Sequence, residues 1–304
     1  LCLSALLSLS ACGGDDGNAS ADTDIAVTSL RLIGQQVLPR RLEFAGTVVG
    51  GLSAIDFDAA NGRYVLLSDD RTTTDSAQAP RLYTAQLRFD ANAFTEVNLL
   101  SVVTLRQPDG SAYPKVPDPR VADPEALRVD RTSGNYVWVS EGDRTLASGT
   151  NPTARVIDPF IREIRPDGSH VREYTLPSMF RMSASGNAVF EGLAFTPSSG
   201  RAVVIMEGSL FQDGPPPTTT SGAVARLTAF DRTSGQAVAQ YAYPIDRVQV
   251  PSVPSGAFTV NGPTEILALS DTRFLVLERS FSVGVVGNQV RLYEIDIANA
   301  TNVL

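Results

Sequence analysis

Cysteine is all but missing from this chain. The two that occur, Cys2 and Cys12, fall within the first dozen residues. The rest of the sequence therefore holds no disulfide, no thiolate nucleophile and no zinc–thiolate site. Histidine is scarcer still: His170 stands alone, in the hairpin-turn sequence Pro166-Asp167-Gly168-Ser169-His170, which disfavours a Ser-His-Asp triad. Lys115 is the single lysine, and without a Gly-Lys pair there is no P-loop. No G-x-S-x-G elbow occurs; Gly51-Leu52-Ser53-Ala54 comes nearest and lacks the last glycine. Long helical periodicity is absent. Positive charge is in deficit, with 25 Lys and Arg against 33 Asp and Glu and a net charge of -8. That balance disfavours a nucleic-acid partner, which needs a basic surface, and suits cations. The basic residues other than Lys115 are arginines, which favour bidentate contact with phosphate or carboxylate; a GC-rich genome produces the same skew.

What is present begins with an address. Residues 1–11, LCLSALLSLSA, are apolar but too short to span a bilayer, and they resemble the apolar part of a signal peptide. They run into Leu9-Ser10-Ala11-Cys12-Gly13, which resembles a bacterial lipobox. The expectation is that residues 1–12 are a lipoprotein signal with Cys12 as the lipidated residue. Residues 13–24, polar and Gly-rich, then form a flexible linker. Gly13 after the cysteine favours the outer membrane. The expected location is the cell envelope, at the outer membrane or facing the periplasm, or outside the cell, with membrane contact through the lipid only.

Residues 25–304 repeat themselves. Ser53–Arg71, Glu125–Arg144, Glu191–Gly208 and Glu265–Arg279 each read as a strand, a tight turn and a second, continuously apolar strand ending in an acid. Those acids, Asp69, Glu141, Glu207 and Glu278, are separated by 72 (69 to 141), 66 (141 to 207) and 71 (207 to 278) residues. Within the first three units the first strand's start and the second strand's end are 16 apart, as in 53 to 69; in the fourth, from 265 to 278, they are 13 apart. Two more strand-like runs follow in the first three units, such as 81–89 and 94–105. Four antiparallel strands per repeat predict an all-β protein, a β-propeller whose inner strands are buried between neighbouring blades. A pair of stacked β-sandwiches would not require a repeat of constant phase. The runs in 27–48, and a fourth unit with one outer strand at 289–297, suggest a ring of five or six blades when complete. The chain is expected to be truncated at both ends, with 27–48 completing the closing blade.

In an antiparallel pair the start of one strand and the end of the next share a sheet edge, so radial stacking gathers the acids at one mouth of the channel. Crowded carboxylates need cations, arginines or protons. Calcium, taking six to eight oxygen ligands, suits such a ring. The candidate ligands are Asp69, Asp70, Glu125, Glu141 and Glu265, together with Glu191 and Glu207. The last two are also the candidate catalytic carboxylates, one of them acting as base toward a metal-activated water. Arg71, Arg144 and Arg279 are the candidates for holding an anionic ester. The bland alternative is that these acids pair with the arginines and simply end strands.

Phe190-Glu191-Gly192-Leu193-Ala194-Phe195, Met206-Glu207-Gly208-Ser209-Leu210 and Gln212-Asp213-Gly214 resemble the phytase-like family, also called the esterase-like activity of phytase family. Ser68-Asp69-Asp70-Arg71, Asp123-Pro124-Glu125-Ala126-Leu127, Ser140-Glu141-Gly142 and Leu277-Glu278-Arg279 fit it too, over roughly 46–304. The family typically carries one more acidic unit after the stretch resembling Val290–Glu294. The resemblance implies a hydrolase of phosphate or carboxyl esters, with calcium as the cofactor to expect; the expected partner is a small-molecule ester or phosphoester, and the expected state a monomer. Catalytic residues of true propeller phytases do not transfer, because their motifs do not match residue by residue. Two rivals stand beside it. One is a non-catalytic propeller that binds a ligand or protein partner through the Pro/Gly/Ser-rich insertions at 107–122, 211–222 and 247–262. The other is a lactonase-type six-bladed propeller.

Overall fold

Each apolar repeat is a pair of antiparallel strands, and each pair belongs to its own sheet. A computed structural model describes residues 27–71, 78–116, 118–145, 155–181 and 188–304; Cys12 and the linker lie outside them. The strands run β1 (Glu43–Phe44), β2 (Thr47–Val48), β3 (Leu52–Asp58), β4 (Arg63–Ser68), β5 (Arg81–Phe89), β6 (Phe94–Thr104), β7 (Pro124–Val129), β8 (Tyr136–Ser140), β9 (Asp143–Thr145) and β10 (Arg155–Ile157). They continue as β11 (Phe160–Ile164), β12 (His170–Glu173), β13 (Phe190–Phe195), β14 (Arg201–Met206), β15 (Ala223–Asp231), β16 (Ala237–Ile245), β17 (Thr259–Ala268), β18 (Arg273–Ser282) and β19 (Gln289–Asp296). Among the described residues the helical content is two short 3-10 turns, Ser178–Arg181 and Phe211–Asp213.

Four sheets carry the architecture: β3-β4-β5-β6, β7-β8-β11-β12, β13-β14-β15-β16 and the three-stranded β17-β18-β19. They stand side by side, β3 packing on β7, β7 on β13 and β13 on β17. The first strand of each sheet is therefore innermost, and the sheets are blades of a β-propeller, four among the described residues. β9 and β10, which follow β8 in the chain, pair as a separate two-stranded ribbon.

Strand alternation explains why the second strands are apolar throughout. On β8, Tyr136 and Trp138 pack with Val65, Leu67 and Leu82 of the first blade, while Val137 and Val139 pack with the third. Each face of the strand meets a different blade, so no position can be polar without a partner. At roughly 1.5–3 kcal/mol for each large apolar side chain fully buried, these interfaces hold the blades together. β18 departs from the rule: its burial alternates residue by residue, because β19 and the outer face of this blade are exposed. The tight turns reverse on glycines: Gly134, with φ of 74°, donates its N–H to the Asp130 carbonyl at 2.7 Å.

The two strand-like runs expected in 27–48 shrink to one small hairpin. The segment's strand content is the two-residue hairpin β1–β2, and residues 38–44 lie on the first blade's outward face, against Leu66, Tyr83 and Ala85. Arg41 (φ 59°) and Ala45 (φ 48°) hold left-handed backbone conformations that interrupt an extended ladder.

Candidate active site at the channel mouth

At the same place on every innermost strand the ladder skips one residue. Leu52 pairs Ser68 and Ala54 pairs Leu67, leaving Ser53 out. Glu125, Glu191 and Thr264 are passed over in the same way on β7, β13 and β17. Such a bulge tilts its extra residue out of the sheet's normal alternation, here at the channel edge. One step beyond the partner strand's last pair come Asp69, Glu141 and Glu207. Their backbone N–H groups donate to the carbonyls of Gly51, Asp123 and Val189 at 2.7, 2.9 and 3.0 Å.

The fourth blade corrects the sequence alignment by one residue. The position matching Ser53, Glu125 and Glu191 is held by Thr264, and the position matching Asp69, Glu141 and Glu207 by Arg279, opposite Gly262. The spacing from 264 to 279 is 15 residues, so the last turn is one residue shorter than the others, not three. Because strand side chains alternate between faces, a slip of one sends Glu265 and Glu278 elsewhere. Glu265 accepts a hydrogen bond from Arg128 at 2.7 Å, and Arg128 also donates to the Ile266 carbonyl at 3.1 Å. Glu278 takes the position matching Met206. There it accepts from Tyr243 Oη (2.7 Å), Asn261 Nδ2 (2.7 Å) and the Asp246 N–H (3.2 Å). Tyr243 is pushed far above the usual phenol range, first by burial and then by this bond.

The first three blades do bring their acids together. One oxygen each from Asp123, Glu125 and Glu141 lie within 4.8 Å of one another, and the same holds for Glu141, Glu191 and Glu207. Glu141 belongs to both triads and is completely buried, and among the described residues neither of its carboxylate oxygens has a hydrogen-bond donor. Asp123 is 3% exposed. It escaped sequence reasoning although it sits two residues before Glu125 and so shares its parity along the strand.

Arginines stand at both ends of this strip. Arg71 Nε lies 2.9 Å from Asp123 and its Nη1 4.0 Å from Asp143; Arg279 Nη2 lies 3.5 Å from Glu207. Asp70 turns away from the strip and pairs with the buried Arg81 at 3.0 Å. Arg144 is on β9, its backbone opposite Val156; its side chain lies outside the described residues. Beside the rim a cleft of about 780 Å³ is lined by Arg40, Arg41, Asp69, Asp70, Arg71 and Arg81, among others. A second, of about 710 Å³, lies over the outer strands of the second blade and holds none of the clustered acids.

Burial and mutual repulsion set the electrostatics. Desolvation pushes Asp123 up to about 7 against the pull of Arg71. Glu125, Glu141 and Glu191 are raised well above the ordinary range, by burial first and then by neighbouring carboxylates. Glu207 is raised by burial and tempered by Arg279; Asp69 is raised by burial and tempered by Ser53. Buried acids left without counter-charge are costly. The site can offset that cost with protons or with a cation. The donor set is hard carboxylate oxygen throughout, which fits calcium or magnesium and no soft metal.

A family model described as phytase-like, esterase-like activity of phytase, matches residues 47–304. No curated protein matches. Among solved structures, the chain is similar to the Dos1 propeller (9% identity, TM-score 0.32, covering 81% of this chain and 59% of that one). It is also similar to a protein of unknown function from Dyadobacter fermentans DSM 18053 (10%, 0.34, 80% and 75%). A third is the Cps50 (Swd1) β-propeller domain of Myceliophteria thermophila (13%, 0.32, 83% and 74%). The chain thus spans less than two thirds of the length of the Dos1 propeller.

Proposed function

The chain belongs to the phytase-like family, and from that premise we propose that it hydrolyses phosphate or other esters at the acidic end of its channel, assisted by a divalent cation for which calcium is the candidate. The observation that carries the reading is Glu141, whose two oxygens are buried without a donor among four other carboxylates. A carboxylate in that position needs a positive partner, and the two arginines reach only the ends of the strip.

The ligands of the cation would come from among Asp123, Glu125, Glu141, Glu191 and Glu207. When bound, it would act as a Lewis acid toward an ester oxygen. Arg71 and Arg279, at 30% and 42% side-chain exposure, would take the anionic part of the substrate. Glu191, less buried than Glu141, is the candidate to accept the proton of the attacking water. Glu207 is anchored by Arg279 and suits a positioning role better. Cys12 would tether the protein to the cell envelope by a lipid, placing the site outside the inner membrane.

The test is hydrolysis of phytate, a chromogenic phosphate monoester and a chromogenic acetate by the full chain, with calcium and with EDTA. Calcium-dependent turnover of any of the three is expected; none with any substrate refutes the reading. One observation favours a non-catalytic binding propeller instead. The insertion at 107–122 supplies Gln107, Pro108, Pro119, Arg120 and Val121 to the 710 Å³ cleft, as a ligand-binding rim would. Ligand binding that persists in Glu191→Gln and Glu207→Gln, with no turnover in any form, would favour it.

A further inference from the structure

The five carboxylates do not form one ligand sphere. Ligand oxygens on a single calcium ion lie about 2.3–2.6 Å from it, so any two are at most about 5 Å apart. The oxygens that lie within 4.8 Å of one another fall into two groups, Asp123–Glu125–Glu141 and Glu141–Glu191–Glu207, with Glu141 common to both. Among the described residues no oxygen of Asp123 or Glu125 completes the second group, and none of Glu191 or Glu207 the first. A single ion in one group would leave a buried acid of the other, Glu191 or Glu125, without a counter-charge, since of these acids only Glu207 and Asp123 have an arginine.

We propose that the channel mouth is a two-cation site: one calcium-like divalent ion between Asp123, Glu125 and Glu141, a second between Glu141, Glu191 and Glu207, and the Glu141 carboxylate bridging them. This rests on the cation-assisted reading above and sharpens it. Glu141 is the residue a bridge requires. It is fully buried, it is central to the strip, and both of its oxygens lack a donor, so one is available to each ion.

Charge counting points the same way. Asp69 is close enough to act on Asp123, Glu125 and Glu191. With it, six carboxylates face the two guanidinium groups of Arg71 and Arg279. Of the four negative charges left over among these residues, two divalent ions offset all and one only half; Asp143, 4.0 Å from Arg71, adds a further carboxylate at the edge. A mouth that stays negative repels an anionic ester; a neutral one flanked by two arginines admits it. Three carboxylates per ion also leave positions open for substrate oxygens, since calcium takes six to eight. A phosphate group, with several oxygens to share between two ions, suits this arrangement better than a carboxyl ester.

The experiment is calorimetric titration of calcium into the EDTA-stripped full chain. Two equivalents are expected for the wild type, and one each for Glu125→Gln and Glu207→Gln. In Glu141→Gln both ions should bind at least tenfold more weakly. Thermal melts of the metal-free variants confirm folding, and Asp123→Asn and Glu191→Gln supply a second pair should either first variant fail to fold. Mixed terbium and europium loading gives an independent readout, since ions sharing one carboxylate transfer excitation energy efficiently. A single equivalent, abolished alike by Glu125→Gln and Glu207→Gln, overturns the bridge and leaves the one-cation reading standing. No calcium binding at all overturns both.

Discussion

Raising the pH of the metal-free protein should destabilise it, against the usual trend for a protein rich in carboxylates. Asp123 has its pKa raised from 3.8 to about 7 by burial. Between these values the folded chain keeps a proton that the unfolded chain has lost. This contribution to stability is full below pH 4 and disappears as the pH rises through 7. From pH 5 to pH 7 the loss from Asp123 alone is roughly 2–3 kcal/mol, at about 1.36 kcal/mol per pH unit. Asp69, Glu125, Glu141, Glu191 and Glu207 are raised too and act in the same direction. His170, lowered by burial, opposes them in this window. The carboxylates held below their ordinary range, such as Asp118 and Asp246, act mainly at lower pH, where the unfolded chain takes up protons that they do not, and contribute little in this window. For a domain of this size the melting temperature in EDTA should fall on the order of 5–10 °C between pH 5 and pH 8. Differential scanning calorimetry at constant ionic strength measures it directly. Saturating calcium should flatten or reverse the slope, because cation and protons compete for the same oxygens. A metal-free melting temperature that holds steady or rises over this range would refute the placement of these acids in a common buried cluster.

Two substitutions probe the fourth blade. Glu265→Ala removes the carboxylate partner of Arg128, itself 8% exposed. It should cost about 1–3 kcal/mol in urea unfolding and leave calcium affinity unchanged; a loss of affinity would place Glu265 among the ligands. Gly262→Ala puts a methyl group 2.3 Å from the Glu207 carbonyl oxygen and 2.8 Å from its Cγ. It should displace Glu207, weaken calcium binding several-fold and destabilise by about 1–3 kcal/mol through overpacking. Unaltered calorimetric binding would show that Glu207 lies outside the site.

The fourth unit shows where reading the repeat reached its limit. Ser53-Ala54-Ile55, Glu125-Ala126-Leu127 and Glu191-Gly192-Leu193 align with Thr264-Glu265-Ile266 once the apolar third position is taken as the anchor. Anchoring on the glutamate instead shifted that unit by a single residue. In a strand that is enough to exchange a channel-facing position for one between blades. Glu278 was misplaced in the same step, and the true occupant of its position, Arg279, has the opposite charge. The short strand content of 27–48 has a different source: its apolar runs resemble strands, yet Arg41 and Ala45 adopt conformations that local composition does not announce.

The sequence by itself determined the repeat, the blade interfaces and the rim to which the acids go, because two-residue periodicity and burial on both faces are written into the order of apolar residues. Which carboxylates actually meet was decided only in three dimensions. The ladder bulges at Ser53, Glu125, Glu191 and Thr264 aim side chains by backbone geometry that no residue type encodes. Whether an acid finds an arginine, as Glu265 and Asp70 do, or only other acids, as Glu141 does, depends on which strands pack side by side, and those can be as far apart in the chain as Arg128 and Glu265.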